Sequence, residues 1–159
     1  MAMSVNLIVA MTRNRVIGNN GTLIWDLKDD MKVFREKTLG QTVIMGKTTW
    51  ISLPEKFRPL PNRNNIVLDW TPGKLNGAIV CTSIEDAIEK GKELGKEIFC
   101  IGGASVYKAF LPFVEVLHIS WVKKDYDGNV LFPEVDFTKF EEVESTDYPD
   151  FVHKKYVRK

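Results

Sequence analysis

The chain has 159 residues, 44% hydrophobic and 27% charged, the proportions of one folded globular domain and not of a disordered chain. Twenty-two basic against twenty-one acidic side chains leave a net charge of +1, which argues against nucleic acid as the main partner. Two cysteines, Cys81 and Cys100, cannot build a disulfide framework or a four-cysteine zinc site, and they read as small buried hydrophobes. The opening Met-Ala-Met-Ser-Val-Asn lacks the basic and apolar regions of a secretory leader. The most apolar region, Ile98 to Val122, is broken by Gly102, Gly103, Lys108, Pro112 and Glu115 before it reaches the ~18 residues of a membrane span. A cytoplasmic location is expected, with one domain over residues 1–159.

In chain order, Val5 to Met11 is a β-rich apolar run closed by the polar Thr12 to Arg15. Asp26 to Thr38 has helical spacing, and Thr42 to Met45 reads as a short buried strand followed by Gly46 and a second short helix ending before Pro54. Asn65–Leu68 and Ala78–Cys81 are further strands. Ser83 opens a helix with Glu85 and Asp86 in its first turn, favourable for the helix dipole, and Gly95 is its stop. Ile98–Ile101 is another apolar strand, followed by Gly102-Gly103 and a helix to about Leu111. Val116–Val122 is a longer strand, and Phe140–Glu144 with Phe151–Val157 form a closing antiparallel pair. Short apolar strands alternating with helices predict an α/β fold in three layers, with a largely parallel sheet covered on both faces. Ligands bind beyond the carboxyl ends of such strands, so the loops after Met11, Met45, Leu68 and Ile101 are where chemistry is sought.

The first helix carries an anomaly. At 100° per residue, Leu27, Asp30, Met31, Phe34 and Thr38 share one stripe, while Lys28, Lys32 and Arg35 lie mostly opposite. Asp30 therefore sits among apolar residues, where an unpaired carboxylate is costly. It is either a first-turn acid leaning out to water, a task open equally to Asp26 or Asp29, or a functional group. A half-buried carboxylate can accept two parallel hydrogen bonds from an amidine-like N–C–N edge. Burial also raises its pKa, which suits proton delivery to a bound heterocycle.

Two strand–glycine–helix junctions stand out. Ile101-Gly-Gly-Ala-Ser-Val-Tyr107 lets backbone approach a ligand closely and offers helix N–H groups to a diphosphate. Gly46-Lys-Thr-Thr49 does the same and adds a cation and two hydroxyls. Together they are consistent with one dinucleotide spanning both, although the G-x-G-x-x-G fingerprint is absent.

These features, with others in one order, closely resemble the dihydrofolate reductase family of the bacterial chromosomal type. The matching pieces are Asn14-Arg-Val-Ile-Gly18, Trp25, Asp30-Met31-x-x-Phe34, Val43-Ile-Met-Gly-Lys-Thr-Thr-Trp50, Arg58-Pro-Leu-Pro-x-Arg63, Asn65-Ile-Val-Leu68, Ile101 to Tyr107, and Gly128 to Pro133. They cover the chain from about Val5 to Tyr156. The resemblance implies reduction of 7,8-dihydrofolate to tetrahydrofolate with NADPH, on a mostly parallel sheet of about eight strands with an antiparallel C-terminal strand and about four helices. It implies hydride transfer from nicotinamide C4 to pterin C6, with a proton to N5 from water admitted near a loop at Ile17–Trp25. Asp30, assisted by the hydroxyl of Ser120, would grip the pteridine 2-amino group and N3, and Leu23 and Trp25 join them as catalytic positions. On the substrate side it implies Ile8, Val9, Met31, Phe34, Leu53, Leu60 and Ile101, with Arg63 pairing the α-carboxylate of the glutamate tail through its bidentate fork. On the cofactor side it implies Ala10, Ile17, Gly18, Gly46, Lys47, Thr48, Thr49, Leu68, Asp69, Trp70, Ile101, Gly102, Gly103, Ala104, Ser105, Val106 and Tyr107. A non-proline cis peptide is expected at Gly102-Gly103. The family is commonly monomeric, and no metal is implied; His118 and His153 have no partner at metal-ligand spacing.

The chain departs from the family pattern in three places. Ile24 and Lys28 replace usual prolines, which predicts altered cofactor affinity or release. Asn129 and Val130 replace an aspartate and a threonine in the run that steadies the mobile loop. Asp69 lies where a Ser or Thr commonly receives the 2′-phosphate, and Trp70 follows it. An acid there repels the phosphate, with Lys47 offsetting part of the repulsion, so the preference for NADPH over NADH is expected to be narrower. A riboflavin-pathway reductase of related fold would explain the glycines but not the Asp30 helix or Arg63. A binding module without turnover would bind ligand without oxidising the cofactor.

Overall fold

The strand sequences run apolar without alternation because both of their faces are covered. In a computed structural model that describes residues 4–18, 28–71 and 73–159, the elements are β1 (Val5–Thr12), β2 (Val16–Gly18), α1 (Lys28–Thr38), β3 (Thr42–Gly46), α2 (Lys47–Ser52), β4 (Asn64–Leu68), β5 (Ile79–Cys81), α3 (Ile84–Glu93), β6 (Ile98–Cys100), α4 (Ala104–Phe110), β7 (Val116–Val122), β8 (Val130–Leu131), β9 (Phe140–Asp147) and β10 (Phe151–Arg158). Eight strands form one sheet in the order β5-β4-β3-β6-β1-β7-β10-β9. Every pair from β5 to β7 is parallel, and β10 runs antiparallel to both β7 and β9. The three-layer architecture expected from the sequence is the one observed.

Two apolar clusters, one on each face, show how the layers are joined. Leu7, Val9, Ile44 and Cys100 pack with Ile84 and Ile88 of α3 and with Val106, Tyr107 and Phe110 of α4. On the other face Ile8, Val43, Met45 and Phe99 pack with Trp50 of α2 and Phe34 of α1. Burying each such side chain contributes roughly 1.5–3 kcal/mol, so these two clusters dominate the favourable side of folding. Ser83 caps α3 by accepting a hydrogen bond from the Asp86 backbone N–H at 3.1 Å, in agreement with the helix start read from the sequence.

The topology also creates a cleft. From the end of β3 the chain turns into α2 on one face, whereas from the end of the neighbouring β6 it turns into α4 on the other. Strands that send their continuations to opposite faces leave a crevice at their carboxyl ends. The two ends remain tied, since Gly46 N–H donates to Gly102 O and Ile101 N–H to Ile44 O, both at 2.9 Å.

Several expectations need correction. Of the α1 stripe Thr38 is buried, Asp30 and Phe34 are half-buried and Met31 is 58% exposed, while Val33 is the other buried side chain of the helix. The helix lies over the rim of the cleft, so part of its apolar side faces that space instead of the core. Leu27, with Asp26, lies outside the described residues. Cys100 is buried as expected, but Cys81 is only partly covered, because β5 is the sheet edge. The small sheet of β2 and β8 was not anticipated; strands of three and two residues carry too little pattern to read. Among the described residues no helix is long and apolar enough to cross a membrane.

Candidate active site

The crevice opens into a cleft of about 870 Å3. β1 contributes Ile8, Val9 and Ala10 to its floor, and Ile17 of β2 closes one end. α1 supplies Asp30, Met31 and Phe34, while Leu53 and Leu60 stand on the segment after α2. Gly46, Lys47, Thr48 and Thr49 line it where β3 becomes α2. Leu68, Asp69 and Trp70 line it at the end of β4. Ile101, Gly103, Ala104, Ser105, Val106 and Tyr107 form the wall where β6 becomes α4. Residues named from the sequence in seven parts of the chain thus share one cavity.

Others stand elsewhere. Leu23 and Trp25, like Ile24, lie outside the described residues. Gly18 ends β2. Gly102 is buried behind the wall with φ +104°, and a Cβ there would sit 2.8 Å from the Tyr107 ring. Its bond to Gly103 is cis, as the resemblance implied. Arg63 stands outside the cleft wall; its Nε donates to Thr38 Oγ1 at 2.9 Å and its Nη1 to Pro61 O at 3.0 Å, with its guanidinium 5.8 Å from the Phe34 ring centre. Burial, with Arg35 nearby, lowers its pKa. Ser120 is 2% exposed behind Asp30 instead of lining the cavity.

Asp30 is the chemical centre of this arrangement. Burial raises its carboxyl above the usual range, and a hydrogen bond from Ser120 opposes that rise in part. No cation of the described residues pairs with it. Such a carboxylate is placed to accept hydrogen bonds from a ligand edge carrying N–H donors, since no described cation neutralises it. Tyr107 stands on the opposite side of the site, its hydroxyl donating to Ile8 O at 2.9 Å and its pKa raised well above normal by burial.

At the far end the glycine junctions form a cradle. Gly46 and Gly103 begin α2 and α4, and neither helix start has a side-chain cap, which leaves backbone N–H groups at both. A Cβ on Gly46 would meet Val106 Cγ2 at 2.9 Å, so only glycine lets the two junctions close on each other. Lys47 Nζ lies 3.2 Å from Asp69 Oδ2. The Thr71 backbone N–H, donating at 3.0 Å, and Lys47 hold the Asp69 carboxyl below its usual range.

A cleft with an apolar middle, a lone half-buried acid at one end and uncapped helix starts at the other suits a flat heterocycle beside a dinucleotide. Comparison with known proteins decides the matter: the dihydrofolate reductase family profile matches residues 4–157. The chain belongs to the dihydrofolate reductase family. It is 39% identical to the dihydrofolate reductase of Buchnera aphidicola over 132 residues, covering 83% of this chain and 80% of that one. It is 37% identical to that of Haemophilus influenzae over 139 residues, covering 87% and 84%. Among solved structures, a dihydrofolate reductase from Enterococcus faecalis complexed with NADP(H) and RAB-propyl superposes with a TM-score of 0.87 at 30% identity, over 99% of each chain.

Residues that sequence reasoning missed in this reductase include Ser52, Ile84, Ala109 and Val130, all lining the cleft. Ser52 follows Thr48 and Thr49 by one turn of α2, a spacing that could have flagged it. Val130 stood out only as a departure from the family pattern; its place at the cleft depends on the pairing of β8 with β2.

Proposed function

We propose that Asp30 recognises the pterin ring by accepting hydrogen bonds from its 2-amino group and N3, with the Ser120 hydroxyl donating to the same carboxylate. The chain is a dihydrofolate reductase, reducing dihydrofolate to tetrahydrofolate with NADPH. When bound in the cleft, NADPH would supply the hydride for C6 of the pterin, with a proton taken up at N5. The chain's own residues bind and orient. Ile8, Met31, Phe34, Leu53 and Leu60 enclose the substrate ring and exclude water, which strengthens the Asp30 hydrogen bonds. Asp30's negative charge favours protonation at N5, and water delivers that proton. The uncapped helix starts at Gly46 and Gly103 fit a diphosphate, and Lys47, Thr48 and Thr49 add a cation and hydroxyls beside it. Arg63, held beside Phe34, takes the glutamate tail. A monomer working in the cytoplasm completes the reading, and sedimentation of the purified chain tests the monomer.

The observation that carries the assignment of Asp30 is its position: half-buried on the cleft wall, hydrogen-bonded by Ser120 and unpaired by any described cation. In a cuvette holding dihydrofolate and NADPH, the reduced-nicotinamide absorbance falls with the wild type. Asp30→Asn lowers that turnover by about 100-fold or more at neutral pH, the range for losing one preorganised electrostatic partner of the reacting ring. Cofactor affinity stays within about threefold, since the variant leaves the glycine cradle untouched. Wild-type turnover in Asp30→Asn would remove the acid from the mechanism.

A further inference from the structure

Behind Asp30 the sheet carries a group of buried polar side chains, of which substrate binding accounts only for Ser120. Asn6, His118, Ser120 and His153 are all buried, on β1, β7 and β10. The register sets Ser120 opposite His153 and Ile8 opposite His118. The two imidazoles stack with ring centres 6.1 Å apart and planes 20° apart. His153 Nδ1 lies 2.9 Å from Ser120 Oγ, and Ser120 in turn bonds Asp30. A three-membered chain therefore runs from the cleft acid into the sheet.

The proton positions follow from the partners. Asn6 Nδ2 donates to Ile98 O at 3.1 Å and Ser4 O at 3.2 Å, so its Oδ1 is an acceptor. His118 Nε2, 3.2 Å from that oxygen, must carry the proton of its ring. His118 Nδ1 and His153 Nε2 have no partner among the described residues. A buried N–H without an acceptor is rarer than a bare lone pair, so both unpartnered nitrogens are the unprotonated ones. His153 then carries its proton on Nδ1 and donates to Ser120 Oγ. The serine, already accepting, is left to turn its own hydrogen toward Asp30.

We propose that His153 is a positioning residue for the reductase: its Nδ1–H fixes the direction of the Ser120 hydroxyl, which holds the Asp30 carboxylate ionised and aimed at the pterin edge. This rests on the assignment of Asp30 to that edge. The charged and titratable groups facing His153 are Lys37 on α1, Glu144 on β9, His118 on β7 and, through Ser120, Asp30 on α1. Lys155 on its own strand faces the neighbouring His118. Lys37 disfavours a second proton on the ring and Glu144 favours it, and burial outweighs both. The ring stays neutral through the working pH range.

The test uses the full chain. Folate affinity, read by tryptophan fluorescence, is followed against pH in wild type, His153→Phe, His153→Asn, Ser120→Ala and the His153→Phe/Ser120→Ala double variant. Loss of the serine's donation moves the low-pH arm of folate binding up by about one pH unit in His153→Phe and in Ser120→Ala. The double variant moves no further than Ser120→Ala, and His153→Asn, whose amide can donate from the place of Nδ1, restores most of the wild-type profile. A wild-type profile in His153→Phe, or additive shifts in the double variant, overturns the proposal. Should His153→Phe fail to fold, histidine 15N spectra of the wild type decide. The chain has two histidines, so a His118→Phe sample assigns them. An Nδ1–H tautomer for His153 supports the proposal, and an Nε2–H tautomer overturns it. If Asp30→Asn binds folate with an unchanged pH profile, the pterin reading fails; if Asp30→Asn is impaired while His153→Phe is not, only the role of His153 falls.

Discussion

At the end of β4, Asp69 sets an acid where the cofactor's adenosine end is expected to lie. Among the described residues its ion-pair partner is Lys47, at 3.2 Å, so each charge partly neutralises the other. A phosphate on the ribose must compete with Asp69 for that lysine, whereas an unmodified ribose hydroxyl can donate to the acid instead. Asp69→Ser is therefore expected to raise the NADPH/NADH ratio of kcat/KM by about tenfold, chiefly through NADPH. Steady-state kinetics with both cofactors checks this, and an unchanged ratio would show that Asp69 does not meet the ribose. Residues of this kind were legible because they break a pattern: Asp30 interrupts an apolar spacing, and Asp69 departs from a family position. His153 was not legible. Its importance lies in facing Ser120 across an antiparallel register, and no spacing along one strand encodes a partner on another.

Elements were readable to the extent that they are long or carry end signals. Ser83 marks the start of α3, and the apolar runs of β3, β4 and β7 fall where the sequence places them. For α1, periodicity identifies an apolar side without saying whether core or cavity receives it, and the structure turns Met31 and Phe34 to the cleft. The junction of β6 and α4 shows how tightly an element can constrain a residue. At Gly102 a side chain would need φ +104° and would meet the Tyr107 ring at 2.8 Å. Gly95, at φ +72°, has nothing within 4 Å. Gly102→Ala is expected to lose about 3 kcal/mol, from backbone strain and overpacking together. Gly95→Ala is expected to lose about 1 kcal/mol, from backbone strain alone. Urea unfolding of the two variants measures the difference, and equal losses would mean that Tyr107 simply moves aside. Because Tyr107 also holds Ile8 O, Gly102→Ala should weaken substrate and cofactor binding together.

Across the whole molecule the buried histidines set a pH dependence of stability. Burial, the first cause for each, pulls His118 down to about 3 and His153 down to about 4 from the ordinary 6.5. Between pH 6.5 and 4 the unfolded chain binds protons that the native state refuses, so their contribution is complete above 6.5 and is lost as pH falls. Each histidine adds a slope approaching about 1.4 kcal/mol per pH unit in that window. Asp30 acts in the opposite sense, since its raised carboxyl keeps a proton in the native state that the unfolded chain releases, which favours the native state at the acid end. In a variant with His118→Phe and His153→Phe, urea-unfolding free energy should fall less steeply between pH 6.5 and 4 than in the wild type. Parallel curves would mean that the two rings take up protons alike in the native and the unfolded chain. The same sheet that buries these rings also brings the ends of β3 and β6 together and holds α1 over the cleft rim, so stability and site geometry share one scaffold.

The central claim is that Asp30 meets the substrate's ring edge inside this cleft. A crystal structure of the chain with folate and NADP+ tests it most directly. The account predicts both Asp30 carboxylate oxygens within hydrogen-bond distance of the pterin N3 and 2-amino nitrogen, with Ser120 donating from behind and the diphosphate over the Gly46 and Gly103 junctions. A pterin held by other groups, with the Asp30 carboxylate turned out of the cleft, would contradict it.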